Sequence, residues 1–404
     1  MTSESNSNTS TPRRWSSKVI VPLGLLFLAV LPDTLPYPGI KTVVSERFNR
    51  SDPETQLFIL ASLLGALFAI PVLRMVRNTP PALVILCAGL LEAVVIGAMA
   101  FSIPWWALIA LRLIQGGFDL LTLAILVGII ARGIGSTGKT FGLVGSLIMA
   151  GLACGFPIGG IIASTHPDFV FPASALCAGL LGLGGYLLSW EKVSEPESPK
   201  KSHLADEGLA ITVGMACNAS DRFLAGISTV ILPLLLAGSL GMNEQNIGIV
   251  MGAPLMMAVL GGFFAGIVVD RFDASFIRVI GCTLYAIGLS MLVLGAGMTV
   301  VVIIATGLMG FGITTILPTP LVIGTQNSGP DVDSETIGRI QVGGQIGYIV
   351  GSLTGAGMTV IAGSTMPVMI VIAAGLYLAW NGFWLAFGIR FAKPMVEEEL
   401  RSAN

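Results

Sequence analysis

The stretch from residue 104 to residue 131, PWWALIALRLIQGGFDLLTLAILVGIIA, decides how this chain is read. It exceeds the roughly 20 residues that an α-helix needs to cross about 30 Å of hydrocarbon. A soluble helix of this length would keep one polar face, whereas this one is apolar on all sides, so its solvent is lipid. Its only ionised residues are Arg112 and Asp119. Arg112, Gln115 and Asp119 stand three and seven positions apart, which places them on one helical face. The result is a polar stripe at membrane depth, where ionisable groups are costly and mark pathways for protons, ions or polar solutes.

The rest of the chain repeats the pattern. Hydrophobic residues make up 54% of it and charged residues 11%, and the mean hydropathy is +0.86. A soluble globule of that composition could not cover itself with polar surface. Apolar runs are read at 18–43, 55–76, 80–101, 104–131, 138–164, 169–190, 207–239, 244–269, 274–296, 297–323, 338–362 and 366–392. The expected fold is an all-α membrane protein with twelve transmembrane helices in two pseudo-symmetric six-helix bundles. A net charge of -2 argues against a nucleic-acid partner. All five cysteines (Cys87, Cys154, Cys177, Cys217, Cys282) lie in apolar runs and read as small hydrophobes. His166 and His203 fall in loops, which argues against a histidine metal or haem site, and no cofactor is expected. No HExxH, paired histidines or Ser-His arrangement points to an enzyme.

Lys and Arg set the expected orientation, because positive loops stay cytoplasmic. With the N-terminus inside, Arg74, Arg77, Arg132, Lys139, Arg271, Arg278, Arg339 and most other cations lie on the cytoplasmic side, and only Lys41, Arg47 and Arg50 face outward. The reading is a multi-pass protein of the cytoplasmic (inner) membrane with both termini cytoplasmic and no cleavable signal peptide. Residues 1–17 read as a disordered tail, 18–190 as the first bundle, 191–206 as a polar cytoplasmic linker, 207–392 as the second bundle and 393–404 as a second tail. A monomer is expected.

The two halves carry matching interruptions. Asp33 lies deep in the first span of one half and Asp221 deep in the first span of the other, and the loop after the second span of each half is basic. Repeats with polar interruptions at matching positions are expected of rocking transporters with a binding site at mid-membrane. Asp33, Glu92, Asp119 and Asp221 with Arg112 and Arg222 give four acids against two bases at depth. Two carboxylates would then be left to be protonated, hydrated or paired with a transient cation. Asp33 is the leading pathway candidate, because Pro32, Pro36 and Pro38 should break or kink its span. For Glu92 a fixed salt bridge or a permanently protonated carboxyl stands beside a pathway role. Asp221 and Arg222, adjacent on a helix, point about 100° apart, so only one can face a given partner.

Several of these residues resemble the motifs of the major facilitator superfamily. Gly266-Ile-Val-Val-Asp270-Arg271 with Arg278 beyond is similar to its loop signature, in the second-half copy. Arg112-Leu-Ile-Gln115-Gly116-Gly117 is similar to its RxxQG motif. Gly142, Gly151, Gly155, Gly159 and Gly160 follow the glycine spacing of its antiporter motif, with Pro157 one place later than usual. The first-half loop, from Gly65 through Arg74 to Arg77, has Leu73 where the family carries aspartate. The resemblance implies an alternating-access transporter, a gating loop at Gly266, Asp270, Arg271 and Arg278 that latches the cytoplasmic side on its own, and a role for Arg112 in proton coupling. Glycines four apart also recur wherever helices pack closely, which is the plain reading of Gly151 to Gly160 and of Gly343, Gly347, Gly351 and Gly355.

The expected function is proton-coupled export of small amphipathic or drug-like molecules, with substrate, proton and lipid bilayer as the partners. The scarcity of fixed cations suits neutral or cationic substrates. The alternative is a uniporter or importer of a small metabolite whose charges bind substrate directly.

Overall fold

The computed structural model describes residues 17–50, 52–134, 137–188, 204–240, 242, 244–295, 298–325, 334–361, 368–383 and 386. Among them every regular element is a helix. The first six spans are α1 (Ser17–Thr34), α2 (Asp52–Ala66) continued by α3 (Ala69–Met75), α4 (Pro81–Met99), α5 (Trp105–Ile134), α6 (Gly138–Thr165) and α7 (Val170–Gly185). The second six are α8 (Leu204–Leu240), α9 (Glu244–Arg271), α10 (Ala274–Leu294), α11 (Thr299–Ile316) continued by α12 (Thr319–Thr325), α13 (Ser334–Ile361) and α14 (Val368–Phe383). The expected linker lies outside the described residues except for 204–206, which α8 takes in. Both expected tails also lie outside them, apart from residue 17.

Among the described residues, eight helical stretches are long and apolar enough to cross a membrane, and the apolar parts of α1 and α14 are shorter. The remaining two spans, α8 with 37 residues and α13 with 28, are long but interrupted by polar side chains. Val94, Leu183, Leu260, Phe264 and Leu353 are all more than half exposed on the outside of the bundle. Such a surface is tolerable only against lipid, so the protein is a multi-pass membrane protein.

Prolines explain where spans break. Pro71 has no N–H for the carbonyl of Leu67, and the second span turns at residues 67–68 before restarting as α3. Pro318 and Pro320 divide the tenth span in the same way, and the Thr319 hydroxyl donates to the freed carbonyl of Ile316 at 2.8 Å. Pro32, Pro36 and Pro38 end α1 at Thr34 rather than kink it, and the chain goes on through turns into a π-helical turn at Lys41–Glu46.

Each half is held by its own glycine seam. On α6, Gly151, Gly155 and Gly159 lie against Val30, Thr34 and Leu35 at the end of α1. On α13, Gly343, Gly347 and Gly351 lie against Met215, Ala219 and Phe223 of α8 in the same manner. The series therefore joins the fifth span to the first and the eleventh to the seventh within each half. Gly160 is buried in α6. Pro157 projects from α6 on another side, toward Gly248 and Gly252 of α9 in the other half. The halves meet along two lines, α6 on α9 and α13 on α2, α3 and α5.

Candidate functional site: a charged cavity between the halves

A cavity of about 310 Å³ lies between the halves at mid-bundle. Asp33, Asp119 and Tyr37 line it from the first half, and Asn218, Asp221, Arg222 and Tyr348 from the second. Apolar walls from Phe156, Met251, Leu255 and Leu317 complete it.

The proline-ended α1 holds Asp33 in its last turn, where the carboxylate meets Arg112 at 2.5 Å. Arg112 is 1% exposed and Asp33 34%, so the cation is enclosed while its partner is wetted by the cavity. Arg112 also donates to Gln115 Oε1 at 2.5 Å and lies 4.6 Å from the centre of the Phe58 ring. The stripe predicted on this span is real, with Arg112 and Gln115 bonded to one another one turn apart.

Glu92 and Asp119 are arranged differently. Glu92 is 0% exposed at the middle of α4, and among the described residues it forms no salt bridge. Its carboxyl is in hydrogen-bonding contact with that of Asp119 on α5. All four oxygens are enclosed, and among the described residues none accepts a hydrogen bond from an N–H or a hydroxyl. Asp33 and Arg112 are the other charged groups that act on the pair.

Arg278 corrects the reading of the gating loop and the count of charges. It is not a loop residue but sits in the second turn of α10, wholly buried. Asp273 caps that helix by accepting from the N–H groups of Ser275 and Phe276, so the helix begins early enough to carry Arg278 inward. The guanidinium donates to both Asp221 oxygens at 2.9 and 2.7 Å, to Asn381 Oδ1 and to the carbonyl of Cys217. The Tyr377 hydroxyl donates to Asp221 at 2.9 Å. Among the described residues the interior thus holds four acids and three bases, with one acid in surplus instead of two. Asp33 and Asp221 each have a fixed guanidinium partner. The sequence reading missed Tyr377 and Asn381. They lie four residues apart on α14, a spacing on one helix face that was the available signal.

The loop signature divides accordingly. Gly266 faces the carbonyl of Gly138, and a side chain at either glycine would overlap the other helix. That close approach lets Asp270 accept from Gly138 N at 2.6 Å and from Lys139 N at 2.9 Å, two of the four N–H groups left open at the start of α6. Thr137 caps a third, the N–H of Thr140. Arg271 is exposed. Contacts at this end of the bundle are not confined to the second-half copy, contrary to the expectation set by the missing first-half aspartate. Arg74, at the end of α3, pairs at 2.9 Å with Glu335 in the first turn of α13, which also receives Arg339 at 2.7 Å. Leu73 lies against Gly338 beside this pair. Burial acts to raise the Glu335 carboxyl, but hydrogen bonds from Arg339 and Arg74, with their charges, outweigh it and hold the group below the usual carboxylate range.

The family model described as Major Facilitator Superfamily matches the chain twice, over residues 23–215 and 211–403. Among solved structures the chain is similar to the human organic anion transporter MFSD10 (TETRAN), with a TM-score of 0.66 and 16% identity, over 91% of this chain and 99% of that one. That likeness is one of fold. No curated protein matches the sequence.

Proposed function

The chain belongs to the major facilitator superfamily, a family of transporters rather than enzymes, and from that premise we propose that it is a proton-coupled secondary transporter of small amphipathic molecules working by alternating access. The observation that carries the coupling is the Glu92–Asp119 contact: two enclosed carboxyls that touch each other and receive no other donor. Two neighbouring carboxylates, even about 4 Å apart, repel by about 4 kcal/mol at an effective dielectric constant of about 20. One shared proton removes the repulsion and supplies the missing hydrogen bond, as in paired-carboxylate sites. It also cancels the single surplus acid and leaves the interior neutral. Asp119 lines the cavity, which gives the proton a route. Asp33, fixed to Arg112, belongs to the substrate-facing wall in this reading, and the coupling proton sits one layer behind it.

The cavity supports an amphipathic substrate, because charged groups and an apolar wall share one space. The basic loops support a cytoplasmic membrane with both termini inside, and the resemblance to the antiporter motif supports export. Import with the charges binding substrate directly is the second reading, and Arg222, a cavity cation without an ion-pair partner among the described residues, favours it.

Reconstituted vesicles test the coupling. Glu92→Gln with Asp119→Asn should keep substrate exchange between vesicle faces yet lose accumulation driven by an imposed pH step. Normal accumulation in that double variant eliminates the pair as the proton site. Asp33→Asn, by contrast, should weaken substrate binding before it alters the response to pH.

A further inference from the structure

Arg222 differs from the other two interior arginines. Arg112 is held by Asp33 and Gln115, and Arg278 by Asp221, Asn381 and a carbonyl. Arg222 stands next to Asp221 in sequence but leaves α8 in a different direction, its stem against Gly344 of α13. Among the described residues its guanidinium makes no ion pair or hydrogen bond, and it lines the cavity. The titratable groups that act on it are Tyr348, Asp221 and Asp33. The first gives its hydroxyl hydrogen to Thr229, and the other two are engaged by Arg278 and Arg112. Gln345, the residue after Gly344, also lines the cavity with no partner for its amide among the described residues. An arginine presents five N–H donors and does not deprotonate in a protein, so it cannot discard its charge to suit an apolar surrounding. A cation left open at membrane depth recruits an anion.

We infer that Arg222, assisted by Gln345, is an anion-binding subsite and that the substrates are amphipathic organic anions. Their carboxylate-like or sulfonate-like head lies on the guanidinium, and their apolar body lies against Phe156, Met251 and Leu255. This rests on the transporter reading but not on the proton coupling, and it replaces the neutral or cationic substrates expected from the sequence. A planar guanidinium fits a carboxylate with two parallel hydrogen bonds, which an amide or an ammonium of the same shape cannot reproduce.

Three matched probes test it: 2-naphthoate, 2-naphthamide and 2-naphthylmethylammonium, titrated against the full chain in lipid nanodiscs with no gradient present. The unaltered protein should bind the carboxylate about 10- to 100-fold more tightly than either analogue, the range set by charge-assisted hydrogen bonds. Arg222→Gln should lose that preference while its affinity for the amide changes less than about threefold, and Arg222→Lys should recover part of it. Removing an unpaired cation leaves no counter-charge stranded, so Arg222→Gln should unfold no earlier than the parent protein. Equal binding of all three probes by the unaltered protein overturns the inference without reference to any variant. Equal loss of carboxylate and amide in Arg222→Gln overturns it too, because that pattern belongs to a closure contact with Asp33. The comparison is made at one pH with no gradient and with the carboxyl pair intact, so failure of the coupling test in the carboxyl-pair variants does not decide it.

Discussion

Arg278→Met examines the corrected charge count most directly. In the parent protein the guanidinium is wholly buried and makes two bonds to Asp221 at 2.9 and 2.7 Å, and it also donates to Asn381, the Cys217 carbonyl and the hydroxyls of Thr319 and Ser220. Replacement by methionine keeps most of the stem volume but leaves Asp221 enclosed with the Tyr377 hydroxyl as its remaining donor. Removing one partner of a buried pair costs about 3–5 kcal/mol, because the other charge is stranded. That corresponds to a loss of about 10²- to 10⁴-fold in the folded-to-unfolded ratio. Asp221→Leu combined with Arg278→Met removes both charges and should restore at least half of the loss. The assay is unfolding of purified protein in mixed micelles of rising denaturing-detergent fraction, followed by tryptophan fluorescence and checked for reversal. A single variant within about 0.5 kcal/mol of the parent, the range of a surface substitution, refutes the reasoning. So does a double variant as unstable as the single.

Two further outcomes follow from the latches. Glu335 titrates below its unfolded range in the closed protein, so its contribution to closure is complete above the ordinary carboxylate range and is lost as pH falls through the depressed value. Spin labels on either side of the Arg74–Glu335 contact should therefore move apart on acidification, and Glu335→Gln should show the wider distance already at pH 7; a distance that does not change with pH counts against the contact as a latch. Gly266→Leu would drive a side chain into the carbonyl of Gly138, so labels at the ends of α6 and α9 should separate, whereas Gly97→Leu, which meets only Ala175 at 4.0 Å, serves as the silent control. An unchanged α6–α9 distance in Gly266→Leu means that the seam is not closed by this approach.

Much of the architecture was legible because lipid imposes a strong constraint: apolar runs near 20 residues become spans, and prolines mark their breaks. The stripe of Arg112, Gln115 and Asp119 was legible because helix periodicity places them together without knowledge of any neighbour. The partners were not. Arg278 stands only a few residues from the exposed Arg271, and its depth depends on where Asp273 starts the helix. The contact of Glu92 with Asp119 depends on how α4 rotates against α5, which an all-round apolar helix does not encode in its periodicity. Glu335 escaped notice because attention fell on the missing aspartate at Leu73, whereas the structure joins α3 to α13 by the cation of Arg74 and the carboxylate of Glu335.

The sign of the substrate's charge then bears on the direction of transport. The three interior arginines balance four carboxyl groups when the Glu92–Asp119 pair holds one proton, and a second proton leaves one positive charge over. A cationic substrate would compete with the shared first proton, because either one alone leaves the interior neutral, so the two would exchange across the membrane, the arrangement an exporter needs. An anion on Arg222 would instead favour the second proton and be favoured by it, since linkage between two sites is reciprocal. The halves close most readily around a neutral interior, because closure strips the water that screens any residual charge. An anion and a proton carried together satisfy that condition, and an inward proton gradient would then draw the anion in. Probe binding at two pH values separates the cases: carboxylate affinity that rises on acidification in the parent protein, and stays flat in Glu92→Gln with Asp119→Asn, assigns import, whereas competition between probe and proton assigns export.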